Sequence, residues 1–251
     1  MVLRVPFRGL LAGSLSGAMF TALSVEERFF AVSQARREAY VRLWARSMLG
    51  LLGVQIVLDA PEGMPKERGV PMLVVANHRS TIDILLMLHL FGGQLLARGD
   101  MATWPGIGAL ARRAGTLFVD RTDPRSGAAA VRSMRERMRG GITVSVFPEG
   151  TTFEGDEVRP FQAGAFLAIA REKGRVLPVG VAYEHPDAIY GDEPVGRHMK
   201  RLAQAPATRV GIAVGRLVDA RGTAVLALAS DAQRQVQTLV EKARCLVGGA
   251  S

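Results

Sequence analysis

Apolar and polar positions along this chain alternate between short continuous runs and helix-like spacing. The run "VPMLVVAN" (70–77) predicts a buried strand. The stretch "STIDILLMLHLFG" (80–92) after it predicts a helix that Ser80 or Thr81 caps and that Gly92 and Gly93 end. The same alternation continues downstream. Strands are predicted over "GTLFVDR" (115–121), "GITVSVFPEG" (141–150), "RVLPVGVAYE" (175–184) and "TRVGIAVGRLV" (208–218). Helices are predicted over "SGAAAVRSMRERMRG" (126–140), "GAFLAIAREKG" (164–174) and "LASDAQRQVQTLVEKARCLV" (228–247). Strands alternating with helices argue for an α/β fold, with a single mostly parallel or mixed sheet covered by helices.

The first fifty residues follow another pattern. Leu10 to Ser24 is mostly apolar but shorter than the ~20 residues that a membrane-spanning helix needs. Ala22 and Ser24 would also suit a signal-peptide cleavage site. The next stretch, 27–58, mixes Phe29, Phe30, Tyr40, Leu43 and Trp44 with Arg28, Arg36, Arg37, Arg42 and Arg46. Seven arginines against three glutamates between Met1 and Gly50 suit anionic headgroups, and Trp44 and Tyr40 suit the interfacial layer. The expected organisation is an N-terminal membrane-associated helical segment, 1–58, followed by an α/β domain, 59–251. Pro/Gly-rich 59–71 would be the hinge between them.

Composition narrows the partners. The 251 residues carry 32 Lys+Arg against 23 Asp+Glu, a net charge of +9 that calls for an anionic partner or a solvated basic surface. Aromatics are only 6% of the chain, and no zinc-finger, helix-turn-helix or RNP-like pattern is present, so a phospholipid surface is expected rather than nucleic acid. Cys245 is the sole cysteine, which excludes an internal disulfide and a cysteine-rich metal site.

In α/β folds functional groups collect where strands end and helices begin. Asn77, His78 and Asp83 follow the first of these strands, Asp120 and Arg121 end the second, and Phe147 to Thr152 end the third. If these ends meet, a histidine–carboxylate pair lies beside an arginine and a turn rich in amide donors. Imidazole can take a hydroxyl proton, a carboxylate can orient it, and amides can hold an oxyanion. A His-x4-Asp spacing alone is common, and a half-buried structural histidine fits it equally well. His89 lies in an apolar helix and reads as packing; His185 and His198 fall in a loop-like stretch without metal spacing. No G-x-S-x-G, P-loop or G-x-G-x-x-G occurs.

Taken together, "NHRSTID", "GTLFVDR", "FPEGTT" and "VLPVGV" resemble, in order and spacing, the four motif blocks of the glycerolipid acyltransferases, most closely the bacterial 1-acyl-glycerol-3-phosphate type. The resemblance covers roughly residues 30 to 220. It implies acyl transfer from acyl-CoA or acyl-carrier protein to the free hydroxyl of a lysolipid, without a metal or prosthetic cofactor. It implies His78 as general base with Asp83 as its partner, and Arg121, Glu149, Gly150, Thr151 and Thr152 in acceptor binding. Arg98 stands where the family often has a lysine, seven residues before a proline, here Pro105. It further implies an N-terminal segment on the membrane, and cytosolic donors place that at the cytoplasmic face. One departure matters: the third block usually ends Glu-Gly-Thr-Arg, and Thr152 has no charge with which to grip phosphate. Lysophosphatidate remains the first expectation for the acceptor. A lyso-ornithine lipid or another lysophospholipid is the alternative, and a non-catalytic lipid-binding protein that keeps the fold is the alternative of another class. Arg159 is a candidate replacement cation, and the basic helix 132–140 a candidate contact for an acidic carrier protein.

Overall fold

The computed structural model describes residues 4–65, 69–104, 106–120 and 122–248. Two helices, α1 (Arg4–Phe29) and α2 (Gln34–Leu51), precede the first strand, β1 (Val54–Asp59). Then follow β2 (Met72–Ala76), α3 (Ile82–Leu90), β3 (Gln94–Arg98), α4 (Ile107–Arg113), β4 (Leu117–Val119), α5 (Pro124–Arg139) and β5 (Val144–Val146). The chain continues through α6 (Gly164–Arg171), β6 (Arg175–Tyr183), α7 (Val195–Gln204), β7 (Thr208–Val214), β8 (Val218–Asp219) and α8 (Val225–Gly248).

The strands form one mixed sheet in the order β1-β7-β6-β2-β5-β3-β4, with β8 beside the start of β6. Among the described residues only the pairs β6–β7 and β6–β8 are antiparallel. Because β2, β5, β3 and β4 run the same way, their C-terminal ends share one edge of the sheet. Side chains of a strand alternate between faces, and both faces here are covered. Val74 and Ala76 point to a core with Val41, Leu86, Leu177 and Val179, under α2 and α3. Leu73 and Val75 point to a second core with Met134, Phe166 and Val236, under α5, α6 and α8. That double burial is why β2 reads as an unbroken apolar run. Helix α8 lies directly on the sheet: a Cβ on Gly180 would collide with the Leu239 backbone, and one on Gly211 with the Ala243 carbonyl.

The expected α/β fold with one mixed sheet is the one observed. Several elements differ in extent. The residues 54–58, grouped in sequence with the N-terminal helices, are the edge strand β1, so the chain enters the sheet ahead of the boundary expected at 58/59. Strand β3 and helices α4 and α7 were not expected, and the predicted strand 208–218 divides into β7 and β8. Helix α1 also runs past Ser24. At 26 residues it is about 39 Å long at 1.5 Å per residue, and Phe7–Phe29 meets the length and apolarity needed to cross a membrane. One face packs on the protein: Phe20 and Leu23 are buried, and Trp44 of α2 donates to the Ser16 hydroxyl at 2.9 Å. Phe7, Leu10, Phe29, Phe30 and Leu43 stay exposed.

Candidate active site

The strand β2 ends at Asn77, whose side-chain amide continues the ladder by pairing with both backbone groups of Val181 at 2.8 Å. The main chain is thereby free to turn, and His78 and Asp83 come together. His78 Nδ1 lies 2.9 Å from Asp83 Oδ2. The same oxygen accepts from the amides of Arg79 (2.6 Å) and Ser80 (2.8 Å), while Oδ1 accepts from the Tyr183 hydroxyl at 2.6 Å. Asp83 is fully buried, and His78 is 17% exposed at the cleft wall. Nδ1 facing a carboxylate carries the ring hydrogen, which leaves the Nε2 lone pair free. The imidazole stacks on Phe147, with ring centroids 4.1 Å apart.

The third loop meets the first through a buried ion pair. Arg79 and Glu149 contact at 2.8 Å with almost no exposure of either side chain. Glu149 also accepts from the amides of His78 (2.7 Å) and Arg159 (2.9 Å), and Arg79 donates to the carbonyls of His78, Gly155 and Glu157. Glu149, expected to bind acceptor, therefore faces inward and ties two loops together. Gly150, Thr151 and Thr152 line the cleft with His78. Among the described residues the amides of Thr151 and Thr152 have no hydrogen-bond partner.

The remaining candidates are spread more widely. Arg98 lines the cleft but is paired with Asp100 at 2.6 Å; both are about half exposed, and such a pair contributes at most about 1 kcal/mol. Arg121 and Pro105 lie outside the described residues. Asp120 bonds Thr122 and is not at the cleft. Arg159 packs over the ring of Phe153, which lines the cleft, and pairs with Glu157 at 3.3 Å; it is not itself part of the lining.

The cleft itself has a volume of about 1790 Å³. Leu85, Leu88 and Leu110 line it, together with Gly9, Gly13 and Gly17 of α1. Glu154, Asp192, Glu193 and Lys200 add polar groups to the lining.

Sequence reasoning missed Arg79, Tyr183 and His198. His198 is not in a loop but on α7, fully buried, with its ring stacked on Tyr190 at 4.7 Å. Burial, reinforced by the Arg201 charge, lowers its pKa to about 4. An unfolded histidine titrates near 6.5, so between about 6.5 and 4 the unfolded chain binds the extra proton and stability falls as pH falls. The protein is expected to lose roughly 2 kcal/mol of stability from this group between about pH 7 and pH 5. Urea midpoints at the two pH values check this, and His198→Gln should remove that part of the loss.

Comparisons with known proteins give the family and the fold. Residues 56–182 match the protein family described as Acyltransferase. The lyso-ornithine lipid O-acyltransferase of Pseudomonas aeruginosa is 32% identical over 210 residues, covering 80% of this chain and 78% of that protein. The 1-acyl-sn-glycerol-3-phosphate acyltransferase of Neisseria gonorrhoeae is 31% identical over 151 residues, covering 60% of this chain but only 57% of that protein. The crystal structure of the 1-acyl-sn-glycerophosphate acyltransferase of Thermotoga maritima superposes with a TM-score of 0.64 over 94% of this chain and 97% of that one. At 22% identity this last likeness concerns the fold.

Proposed function

The chain belongs to the acyltransferase family, and from that premise we propose that it acylates the free hydroxyl of a lysolipid with His78 as general base. The observation that carries this reading is the His78–Asp83 pair at 2.9 Å, opening on an apolar cleft large enough for acyl chains. In this scheme Nε2 of His78 takes the hydroxyl proton as the acceptor oxygen attacks the donor thioester carbonyl. Asp83 fixes the tautomer and stabilises the imidazolium. The free amides of Thr151 and Thr152 hold the oxyanion of the tetrahedral intermediate. Its collapse expels the thiolate, which takes the proton back from His78. Acyl-CoA or acyl-carrier protein is the donor, and the scheme uses no metal or prosthetic group. The exposed apolar residues at both ends of α1, with exposed Arg46 of α2, support docking on a membrane surface, and a cytosolic acyl donor would make that surface the cytoplasmic face.

For the acceptor, we infer a lysolipid without a terminal phosphomonoester, of the lyso-ornithine kind. Thr152 offers no charge, Arg98 is engaged by Asp100, and the carboxylates of Glu154 and Asp192 line the cleft, a setting suited to an amine-bearing headgroup; Glu193 lines it too but is engaged by Arg201. Lysophosphatidate is the second reading, favoured by the cations Arg98 and Lys200 in the same lining. Thiol release from acyl-CoA with a panel of lysolipids distinguishes the two. The unmodified protein should prefer lyso-ornithine lipid by about tenfold or more, and Thr152→Arg should raise lysophosphatidate use at its expense, since a guanidinium–phosphate contact is worth about 1.5–3 kcal/mol. Highest turnover on lysophosphatidate in the unmodified protein would reverse the ranking.

A further inference from the structure

Asp83 holds the His78 imidazole at one point, the Nδ1 edge. A hydrogen bond keeps most of its strength through a bend of roughly 30°, so this bond alone sets the plane of the ring only loosely. The second restraint is Phe147. The two rings lie face to face, with centroids 4.1 Å apart and planes within 9° of parallel. Phe147 is itself buried and belongs to the core under α2 and α3, so packing holds its ring in turn.

The backbones that carry the two rings are tied together as well. His78 and Phe147 leave neighbouring parallel strands, β2 and β5, in which Val75 stands opposite Val146. Glu149, two residues after Phe147, accepts from the His78 amide at 2.7 Å. The Phe153 amide donates to the His78 carbonyl at 3.1 Å, and the Gly150 amide closes the turn on the Phe147 carbonyl at 3.0 Å. The stack is thus built into the junction of two loops. It also covers the face of the imidazole and leaves the edge alone. A hydrogen bond at Nε2 would hold the ring too, but it would occupy the lone pair that has to take the proton.

The face-to-face geometry has an electrostatic side. An aromatic face is the negative end of the ring quadrupole and attracts a cation placed over it. The imidazolium that forms as the hydroxyl proton is taken gains from this more than the neutral ring does. Among the described residues, the charged groups in contact with His78 are Asp83 at Nδ1 and the Arg79–Glu149 pair at its backbone, and that pair is closed on itself. We propose that Phe147 is a positioning residue for acyl transfer: its stack on His78 sets the plane of the imidazole, so that Nε2 is presented to the cleft, and supports the imidazolium in the transition state. This rests on His78 being the base.

The test compares Phe147→Met, which fills similar apolar space without a π-face, with Phe147→Tyr, which keeps the face. Thiol release from acyl-CoA with a lysolipid is followed against pH. Phe147→Met should lower kcat about fivefold with KM nearly unchanged. It should also move the acid limb of kcat/KM about half a pH unit lower, because the imidazolium has lost its support. Phe147→Tyr should keep most of the rate and the original limb. A second measurement uses the unmodified protein with ring-labelled histidine. The Cε1 proton of His78, identified by its loss in His78→Ala, should resonate upfield of that of exposed His185, because the Phe147 face shields it. An unchanged rate and limb in Phe147→Met overturn the proposal, and so does a missing upfield shift. An equal loss in both variants with the limb in place also overturns it, since that is the signature of packing alone. If His78→Ala keeps full turnover, the base assignment falls and the proposal falls with it. If His78→Ala abolishes turnover while Phe147→Met changes nothing, the proposal alone falls.

Discussion

His78→Ala is expected to lower acyl transfer by roughly a thousandfold, within the range measured for positioned proton-transfer groups, while the protein stays folded. The geometry separates the two effects. Asp83 keeps its bonds to the amides of Arg79 and Ser80 and to Tyr183, so the loop retains its anchor without the imidazole. What disappears is the lone pair at the cleft wall and the stack on Phe147. Thiol release from acyl-CoA in the presence of lysolipid measures the loss, with a thermal unfolding curve as control. Retained turnover in a folded His78→Ala protein would mean that the hydroxyl is activated by another group.

The second large effect concerns stability. Glu149→Ala leaves the Arg79 guanidinium buried without its counter-charge and removes the acceptor of two amides, those of His78 and Arg159. Breaking a buried pair from one side costs about 3–5 kcal/mol. A domain of this size shifts its Tm by about 2–4 °C per kcal/mol, so a fall of roughly 10 °C is expected. Replacing both partners with apolar residues should recover part of it, because an apolar pair of similar volume has no charge to desolvate. If Glu149 instead contacted the acceptor, Glu149→Ala would raise KM and leave Tm in place. Thermal scans beside acceptor titrations separate these results.

This contrast also marks how far the sequence could be read. His78 and Asp83 are five positions apart on a strand-to-helix turn, so their meeting is local and legible. Glu149 and Arg79 are seventy residues apart, and nothing in "FPEGTT" says that its glutamate is consumed by the arginine of "NHRSTID". Tyr183 closes on Asp83 from a strand a hundred residues away, and its strand position was legible while its partner was not. Among the elements, β2 and β6 announced themselves through long apolar runs. The strand β1 did not, because "VQIVLD" follows a helix across only Leu52 and Gly53, with no polar punctuation. Helix α1 looked short because the count stopped where charge begins. In the fold, Glu26 and Glu27 are absorbed by Arg36, Arg37 and Arg113, and the helix continues through them. His198 looked like loop because "VGRHMKRLAQ" has little apolar surface to bury besides Leu202 and the histidine itself.

The placement of α1 has a practical consequence. Membrane-associated enzymes are often shortened at the N-terminus to make them tractable in water, on the view that the removed helix is only an anchor. Here Gly9, Gly13 and Gly17 form part of the cavity wall, and Arg8 bonds the carbonyls of Ala203 and Ala205 at the end of α7. A chain begun at Ser33 would lose one side of the chamber that opens on His78 and one restraint on the helix that carries His198. Its weak activity would then be a fault of the missing wall, and would say nothing about whether the enzyme needs a bilayer.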